Sequence, residues 1–194
     1  MSKLVLIGGG GHCKSVLDAA IRMGTYKEIV ILDPNLPAGT EVMGCLVYGG
    51  DDKLGELKEK GFDNAFITVG CIGDTTLRRK LVGKADTYGY MYPCIIDPSA
   101  VVSEFTNLES GVFVGKNAVI NAGAQVGKHA IINTGAIVEH DCRIGAFAHI
   151  AVNATVCGDC IIGEDVFIGA GATLIQGITI EKDRFIKAGE VVIR

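Results

Sequence analysis

A histidine between two acidic residues, Glu139-His140-Asp141, is the stretch of this sequence best suited to proton transfer. An unperturbed imidazole titrates at about pH 6.5, so it can accept a proton at neutral pH. The carboxylate of Glu139 or of Asp141 could hold one tautomer of that imidazole and raise its basicity. A general base at His140 with an acidic partner is therefore one interpretation of this stretch. Taken alone, the segment favours the alternative, a surface histidine among acids.

A run of glycines near the N-terminus predicts a second site. The apolar stretch Leu4–Ile7 leads into Gly8-Gly9-Gly10-Gly11-His12, and an amphipathic stretch follows. This order is typical of a strand, a tight turn and a helix whose first N–H groups can bind phosphate. Asp33 ends a second apolar run, where an acid often contacts a ribose or a base. Cys13 replaces the third glycine of the dinucleotide fingerprint, which favours a mononucleotide or a sugar nucleotide; the alternative is a tight turn without a ligand.

The cysteines offer a third possibility. Cys157 and Cys160 form a C-x-x-C pair, but no second pair or histidine ligand lies nearby, so we expect neither a metal nor redox chemistry there. The chain has 7 cysteines, and their odd number and scattered spacing are typical of reduced thiols in a cytoplasm.

A six-residue repeat is the element that must position His140. From Ile96 to Val192 every sixth residue is aliphatic, and four places later the residue is usually small, as at Ala118 and Ala136. This period matches neither a helix nor a long strand. It is typical of short strands separated by corners, which stack into a β-helix with one large and one small side chain inward. The alternative, a sandwich of short strands, would space its turns irregularly.

The repeat also places the histidines. His140 falls outside the inward positions. His149 follows nine residues later, about one and a half faces of a coil, so we expect the two imidazoles of one chain not to touch, although they could meet across a subunit boundary. His129 follows Lys128 at a corner and has no acidic neighbour, so we expect it on the surface.

Before the repeat, helical and strand patterns alternate. The helical stretches are Lys14–Met23, Lys53–Lys60 and Thr75–Val82. Ala65–Val69 is typical of a strand that ends at Gly70, and the alternation predicts a small parallel α/β sheet. We expect Arg78 to be a solvent-exposed charge. The sequence therefore predicts two domains, residues 1–93 and 94–194.

The charge and the hydrophobicity of the sequence argue against two classes of protein, nucleic-acid-binding and membrane-spanning. The formal net charge of −4 argues against non-specific nucleic-acid binding, which needs a basic surface. The sequence has no run of eighteen apolar residues and no basic-then-apolar leader, so we expect a cytoplasmic protein without a membrane span.

Both halves together resemble the hexapeptide acyltransferases that acetylate sugar nucleotides or sialic acid, above all the N-acetyltransferases of the bacillosamine pathway. The stretches that carry the resemblance are Gly8–His12, Leu32-Asp33, Val69-Gly70, Ile132-Asn133-Thr134, Val138-Glu139-His140-Asp141 and Phe147-Ala148-His149. The resemblance implies a small Rossmann-like α/β domain that binds the sugar nucleotide, followed by a left-handed parallel β-helix with about three hexapeptides per coil. It also implies a homotrimer with acetyl-CoA bound between neighbouring subunits.

The same resemblance assigns roles to individual residues. The nucleotide would be bound by Gly9, Gly10, Gly11 and Asp33, with Gly70 lining its pocket. His140 would be the general base, and its partner would be Asp141, where close relatives carry glutamate. His149 would contact the acetyl thioester, and the backbones of Ala170 and Ala188 would line the CoA channel.

The predicted reaction is N-acetylation of a nucleotide-linked 4-amino-sugar, expected to be UDP-linked, by direct attack of the amine on acetyl-CoA. The alternative within the class is O-acetylation of sialic acid or of another hydroxyl such as serine. A γ-type carbonic anhydrase needs three imidazoles on one zinc and a histidine pair five apart, whereas the intervals here are eleven and nine. A scaffold without activity would tolerate replacement of His140.

Overall fold

The computed structural model describes residues 2–193, which form two compact units. The first unit runs to Cys71 and resumes from Thr76 to Pro93, and the second comprises Ile72–Thr75 and the residues from Cys94 onward. None of the helices within residues 2–193 is long and apolar enough to cross a bilayer.

The first unit is a small α/β sheet with helices. Its elements are β1 (Ser2–Ile7), α1 (Gly11–Met23), β2 (Tyr26–Leu32), β3 (Glu41–Val42), β4 (Cys45–Gly49), a 3-10 turn (Asp51–Lys53), α2 (Leu54–Glu59), β5 (Asn64–Ile67) and α3 (Thr76–Asp86). The strand order is β3-β4-β2-β1-β5, and β1 pairs in parallel with β2 and β5. Strand β1, an interior strand of this sheet, is buried from Leu4 to Ile7, as is typical of a parallel strand that is covered on both faces. The predicted parallel α/β sheet is confirmed.

The hairpin of β3 and β4 is an element that the sequence analysis missed. The two strands are antiparallel, with Val42 opposite Cys45. Met43 and Gly44 between them have φ angles of 50° and 79°. Two successive left-handed residues make the tight turn that suits the twist of a hairpin. The signal was the glycine after Met43, directly before an apolar run.

The second unit is a β-helix with three sheets, here called faces. Face 1 consists of β6 (Ile95–Ile96), β9 (Phe113–Val114), β12 (Ile131–Ile132), β15 (His149–Ile150), β18 (Phe167–Ile168) and β21 (Phe185–Ile186). Face 2 consists of β7 (Val101–Val102), β10 (Val119–Ile120), β13 (Ile137–Val138), β16 (Thr155–Val156), β19 (Thr173–Leu174) and β22 (Val191–Val192). Face 3 consists of β8 (Asn107–Leu108), β11 (Gln125–Val126), β14 (Arg143–Ile144), β17 (Ile161–Ile162) and β20 (Thr179–Ile180).

The register confirms three hexapeptides per coil. Parallel pairs join residues 18 apart, as Ile131 pairs with His149 and Val138 with Val156. The aliphatic residue of each hexapeptide and the small residue four places later point inward and form one continuous core. A single coil cannot bury these side chains, so neighbouring coils supply the rest of the core. The fold is the left-handed parallel β-helix that the resemblance implied.

Each corner of the β-helix turns through one left-handed residue. Every sixth residue from Gly111 to Gly189 has a positive φ angle. Glycine, asparagine and aspartate occupy most of these positions, because they tolerate this conformation best. His129 and Phe147 are the two exceptions, with φ angles of 58° and 59°. We call the three lines of corners edge 1–2, edge 2–3 and edge 3–1, after the faces that they join.

Two predicted surface residues are buried. His129, on edge 3–1, is only 5% exposed, because its ring packs on Phe147 of the next coil at a centroid distance of 5.0 Å. The ring also lies above Gly111, where a Cβ atom would come within 2.4 Å of Nδ1. Arg78 in α3 is 1% exposed, with Nη1 at 3.9 Å from Sγ of Cys71. The expectation that both side chains are exposed was wrong. His129 is covered by residues of the neighbouring coils, which its own hexapeptide does not reveal, and Arg78 is buried as well.

Candidate active site

His140 and Asp141 form a hydrogen-bonded pair on edge 2–3, between β13 and β14. Nδ1 of His140 lies 2.9 Å from Oδ2 of Asp141. A carboxylate can only accept, so Nδ1 carries the proton and Nε2 of the neutral ring is left as the basic nitrogen. Asp141 is the left-handed residue of this corner, with a φ angle of 60°. The side chains of this His140–Asp141 pair are 53% and 66% exposed, so an external molecule can reach them.

Two glycines in neighbouring coils leave room for the pair. A Cβ atom on Gly158, one coil after His140, would lie 2.5 Å from Nε2 of the imidazole. A Cβ atom on Gly123, one coil before Asp141, would lie 2.5 Å from Oδ1 of the carboxylate. Backbone hydrogen bonds fix the stacking of these coils, since the N–H of Asp159 donates to the carbonyl of His140 at 2.9 Å. Neither glycine stands out in the hexapeptide pattern of its own coil.

The charges around His140 favour its protonated form. The hydrogen bond to Asp141 raises the pKa of His140 above its ordinary value, and the negative charges of Asp141, Glu139 and Asp159 act in the same direction. Partial desolvation opposes this effect but is outweighed. The imidazole is therefore a stronger base than a free histidine.

His149 lies on face 1, opposite the edge that carries His140. It is 8% exposed, and its ring meets the ring of Phe167 edge to face at a centroid distance of 5.1 Å. Nε2 of His149 is 3.1 Å from Nδ2 of Asn133, which follows β12 at edge 1–2. Within one chain the core of the coil separates the two histidines, as the sequence analysis expected.

Ala170 and Ala188 lie near His149, on edge 1–2. They occupy the same position in successive coils, and the N–H of Gly189 donates to the carbonyl of Ala170 at 2.9 Å. Both alanines are exposed. Buried Gly169 precedes Ala170, and a Cβ atom there would come within 2.4 Å of the N atom of Ala188. The structure thus brings His149 and the two alanines to one side of the β-helix, away from His140.

In the first unit, Asp33 fastens the glycine-rich turn. Its Oδ2 accepts from the N–H of Gly9 at 2.6 Å, and its Oδ1 accepts from the N–H of Asn35 at 2.8 Å. Gly10 and Gly11 differ from Gly9, because a Cβ atom on either would meet nothing within 4 Å. The open space at these two glycines lies at the first residues of α1, where N–H groups point outward.

A small cavity of about 160 Å³ opens beside this turn. Gly8, Asp33, Asn35, Asp51 and Lys80 contribute to its lining. It therefore lies at the carboxyl ends of β1 and β2, where open α/β sheets bind ligands. Gly70, also predicted here, follows β5, and a Cβ atom on it would meet Cβ of His12 at 3.4 Å.

The cysteine pair is part of the packing. Cys160 is fully buried in the core, and its Sγ donates to the carbonyl of Ile175 at 3.2 Å. Sγ of Cys142, directly below it, donates to the carbonyl of Cys157 at 3.1 Å. Burial raises the pKa of Cys142 to about 11, so the thiol is protonated and a poor nucleophile at neutral pH. Within residues 2–193, no group of three or more histidine, cysteine or acidic side chains is arranged to hold a metal ion.

Comparison with known families finds matches in both units. Residues 3–85 match the PglD N-terminal domain, residues 141–176 match the bacterial transferase hexapeptide (six repeats), and residues 106–139 and 159–194 match the hexapeptide repeat of succinyl-transferase. Comparison with curated proteins yields no match.

Solved structures match along the full length. A histidine-to-asparagine variant of perosamine N-acetyltransferase from Caulobacter crescentus, in complex with CoA and GDP-perosamine, is 41% identical, with a TM-score of 0.91 over 100% of this chain and 90% of that one. The acetyltransferase domain of PglB from Neisseria gonorrhoeae is 36% identical, with a TM-score of 0.92 over 100% of this chain and 92% of that one. The same domain in complex with acetyl coenzyme A has a TM-score of 0.89 at 36% identity, over 98% and 92% of the two chains.

The α/β unit, the left-handed β-helix and these matches together define a hexapeptide-repeat acetyltransferase. The chain belongs to the family of sugar-nucleotide acetyltransferases that carry a PglD-type N-terminal domain.

Proposed function

We propose that this chain transfers the acetyl group of acetyl-CoA to the amine of a nucleotide-linked 4-amino-sugar, with His140 as the general base. The observation that carries the proposal is the His140–Asp141 pair, which leaves a basic Nε2 at an accessible edge of the β-helix. Relatives with the same two-unit structure bind CoA with GDP-perosamine, or acetyl coenzyme A.

The reaction needs one proton acceptor. The sugar amine attacks the thioester carbonyl, forming the C–N bond, and Nε2 of His140 takes a proton from the nitrogen. Collapse of the tetrahedral intermediate breaks the C–S bond, and the proton on His140 passes to the departing CoA sulfur. Backbone N–H groups stabilise the oxyanion. Holding both substrates in place supplies much of the rate, so no enzyme nucleophile is required.

The resemblance implied a glutamate beside the histidine, and the shorter Asp141 nevertheless reaches Nδ1 of the imidazole at 2.9 Å. We therefore assign Asp141 the role of holding the tautomer and raising the basicity of His140.

We infer that the complete site forms between subunits of a homotrimer. Two observations support this arrangement: His140 lies on edge 2–3, and His149, Ala170 and Ala188 lie on the opposite side of the same β-helix. If His140 of one subunit faces His149 and edge 1–2 of its neighbour, acetyl-CoA lies in the groove between them. In a cyclic trimer each of three such grooves is then complete.

A mixing experiment tests the shared site. His140→Ala and His149→Ala chains should each retain little activity alone. After they are unfolded and refolded together, random assembly pairs an intact His140 with an intact His149 in roughly a quarter of the grooves. Activity near a quarter of the wild-type value is the expected result. If the mixture stays as inactive as its components, the two histidines act in the same subunit or not at all.

The sugar nucleotide binds the first unit in this proposal. Gly10 and Gly11 expose the N–H groups of the α1 start to a diphosphate, and the nucleoside binds at the neighbouring cavity, beside Asp33. Gly9 belongs to the turn that Asp33 holds, and Gly70 lies against His12, directly after Val69 of the cavity wall. The expected nucleotide is UDP, and GDP is the alternative present in the complex of the Caulobacter crescentus relative.

The decisive assay is release of the CoA thiol against a panel of acceptors: UDP- and GDP-linked 4-amino-sugars, sialic acid and serine. Rapid release with one amino-sugar nucleotide is expected, and release only with sialic acid or serine would establish O-acetylation instead. His140→Ala should lose most of the rate while fold and trimer persist. Near-normal turnover in that variant would exclude His140 as the base.

A further inference from the structure

The side chain of Asn133 contacts the backbone of the following residue, Thr134, and a histidine of the next coil. Its Oδ1 lies 2.8 Å from the backbone N atom of Thr134, and its Nδ2 lies 3.1 Å from Nε2 of His149. Both residues are fixed by the coil: the N–H of Asn133 donates to the carbonyl of Ile150 at 2.9 Å, and that of His149 donates to the carbonyl of Val166 at 2.8 Å.

These two contacts determine where the proton of His149 lies. The N–H of Thr134 can only donate, so the amide atom facing it must be oxygen. The other end of the Asn133 amide is then the NH₂ group, which can only donate as well. Nε2 of His149 must therefore accept this hydrogen bond, so it carries no proton and the neutral ring is protonated at Nδ1.

The surroundings keep the ring in this orientation. His149 is 8% exposed, and the edge-to-face contact with Phe167 fixes its plane. A flipped ring would place a carbon atom against the amide of Asn133 and lose the hydrogen bond in a nearly buried position, which is costly.

We propose that Asn133 is a positioning residue that holds His149 as the neutral Nδ1–H tautomer and occupies its Nε2 lone pair. The catalytic use of this arrangement rests on the proposed function, in which His149 contacts the acetyl thioester. The two histidines then differ by their partners: His140 faces an acceptor, Asp141, and keeps a basic nitrogen, whereas His149 faces a donor. Only His140 can take the amine proton, and His149 acts as a neutral hydrogen-bond donor.

The first test measures the tautomer in the protein without substrates. Nitrogen NMR of protein labelled with ¹⁵N-histidine distinguishes protonated from unprotonated ring nitrogens, and a His149→Gln variant identifies the signals of His149. At neutral pH we expect an unprotonated Nε2 and a protonated Nδ1. A proton on Nε2, in either the neutral or the doubly protonated ring, overturns the proposal.

The second test replaces the donor with an acceptor of the same shape. Asn133→Asp keeps an oxygen for the N–H of Thr134 but presents a carboxylate to Nε2, so the NMR signals should show a proton at Nε2. With acetyl-CoA varied, kcat/KM should fall by about tenfold or more, as expected when a hydrogen bond at a desolvated site is reversed.

A double variant separates this effect from a structural one. In a His149→Gln background, Asn133→Asp should cost less than about twofold, because the histidine through which Asn133 acts is absent. An equal loss in both backgrounds overturns the positioning role. If wild-type protein transfers acetyl to no acceptor, the proposed function fails, and the tautomer measurement still decides whether Asn133 holds His149 as described.

Discussion

Replacing Gly158 with alanine should displace the catalytic base without unfolding the protein. The added Cβ atom would lie 2.5 Å from Nε2 and 2.6 Å from Cε1 of His140. The backbone accepts a side chain there, because Gly158 does not have a positive φ angle and the equivalent positions one coil before His140 and one coil after Gly158 carry Ala122 and Gln176. The expected effect is therefore confined to the imidazole.

The size of the effect follows from the contact distance. Non-bonded heavy atoms pack best at about 3.5 Å or more, so the ring must move by about 1 Å. A misplacement of this size at a reacting group costs roughly 100-fold in rate, or about 2.7 kcal/mol in the activation free energy. Because His140 is exposed and can rotate away, the free energy of unfolding should change little.

The assay is steady-state release of the CoA thiol, together with thermal unfolding of the same preparation. Gln176→Ala, which removes an exposed side chain one coil further on, is the matched control and should retain full activity. In a His140→Ala background, Gly158→Ala should cause no further loss. A folded Gly158→Ala protein with wild-type kcat would refute the reasoning, since it would show that the position of Nε2 does not limit the rate.

Further outcomes follow from the His140–Asp141 pair and from the glycine-rich turn of the first unit. The rate should decline as the pH falls through the raised pKa of His140, since only the neutral imidazole accepts a proton. Asp141→Asn removes the largest cause of the raised pKa of His140. This variant should therefore move the acid limb of the kcat/KM profile to lower pH, with a lower maximal rate. Gly8→Ala should lower the free energy of unfolding in urea by about 2 kcal/mol, because Gly8 has a φ angle of 112° and its Cβ atom would lie 2.7 Å from Cγ2 of Val69. Gly10→Ala meets nothing within 4 Å and should keep its stability while weakening sugar-nucleotide binding. Equal stability of the two glycine variants, or an acid limb unmoved in Asp141→Asn, would contradict these expectations.

The sequence predicted the β-helix well because its period acts directly on packing. An aliphatic residue every sixth position and a small residue four places later can only be buried together if each hexapeptide makes one strand and one corner. The strand, glycine turn and helix at the N-terminus were predictable for a similar reason. The apolar run is typical of a buried strand, whereas the amphipathic stretch has the period of a helix.

Contacts between coils explain much of what was missed. His129 looked exposed within its own hexapeptide, but Gly111 and Phe147 cover it from the coils on either side. The contact of Gly158 with the imidazole becomes apparent only when Gly158 is aligned with His140, which lies 18 residues before it. Reading the sequence in rows of one coil would have shown both relationships. Arg78 differs, because its burial arises from tertiary packing that its helical pattern does not encode.

Because every coil repeats the same three strands, the number of coils determines the distance between positions along edge 1–2. Neighbouring parallel strands are about 4.8 Å apart, so Ala188 stands roughly 10 Å, or two coils, beyond the level of His149. Removing one whole coil between His149 and Ala188 would leave each remaining strand with a partner in register, yet it would bring the two residues closer by one strand spacing of about 4.8 Å. The number of coils, which leaves the packing of each coil unchanged, thus sets how long an extended molecule lying on this edge must be to touch both positions at once.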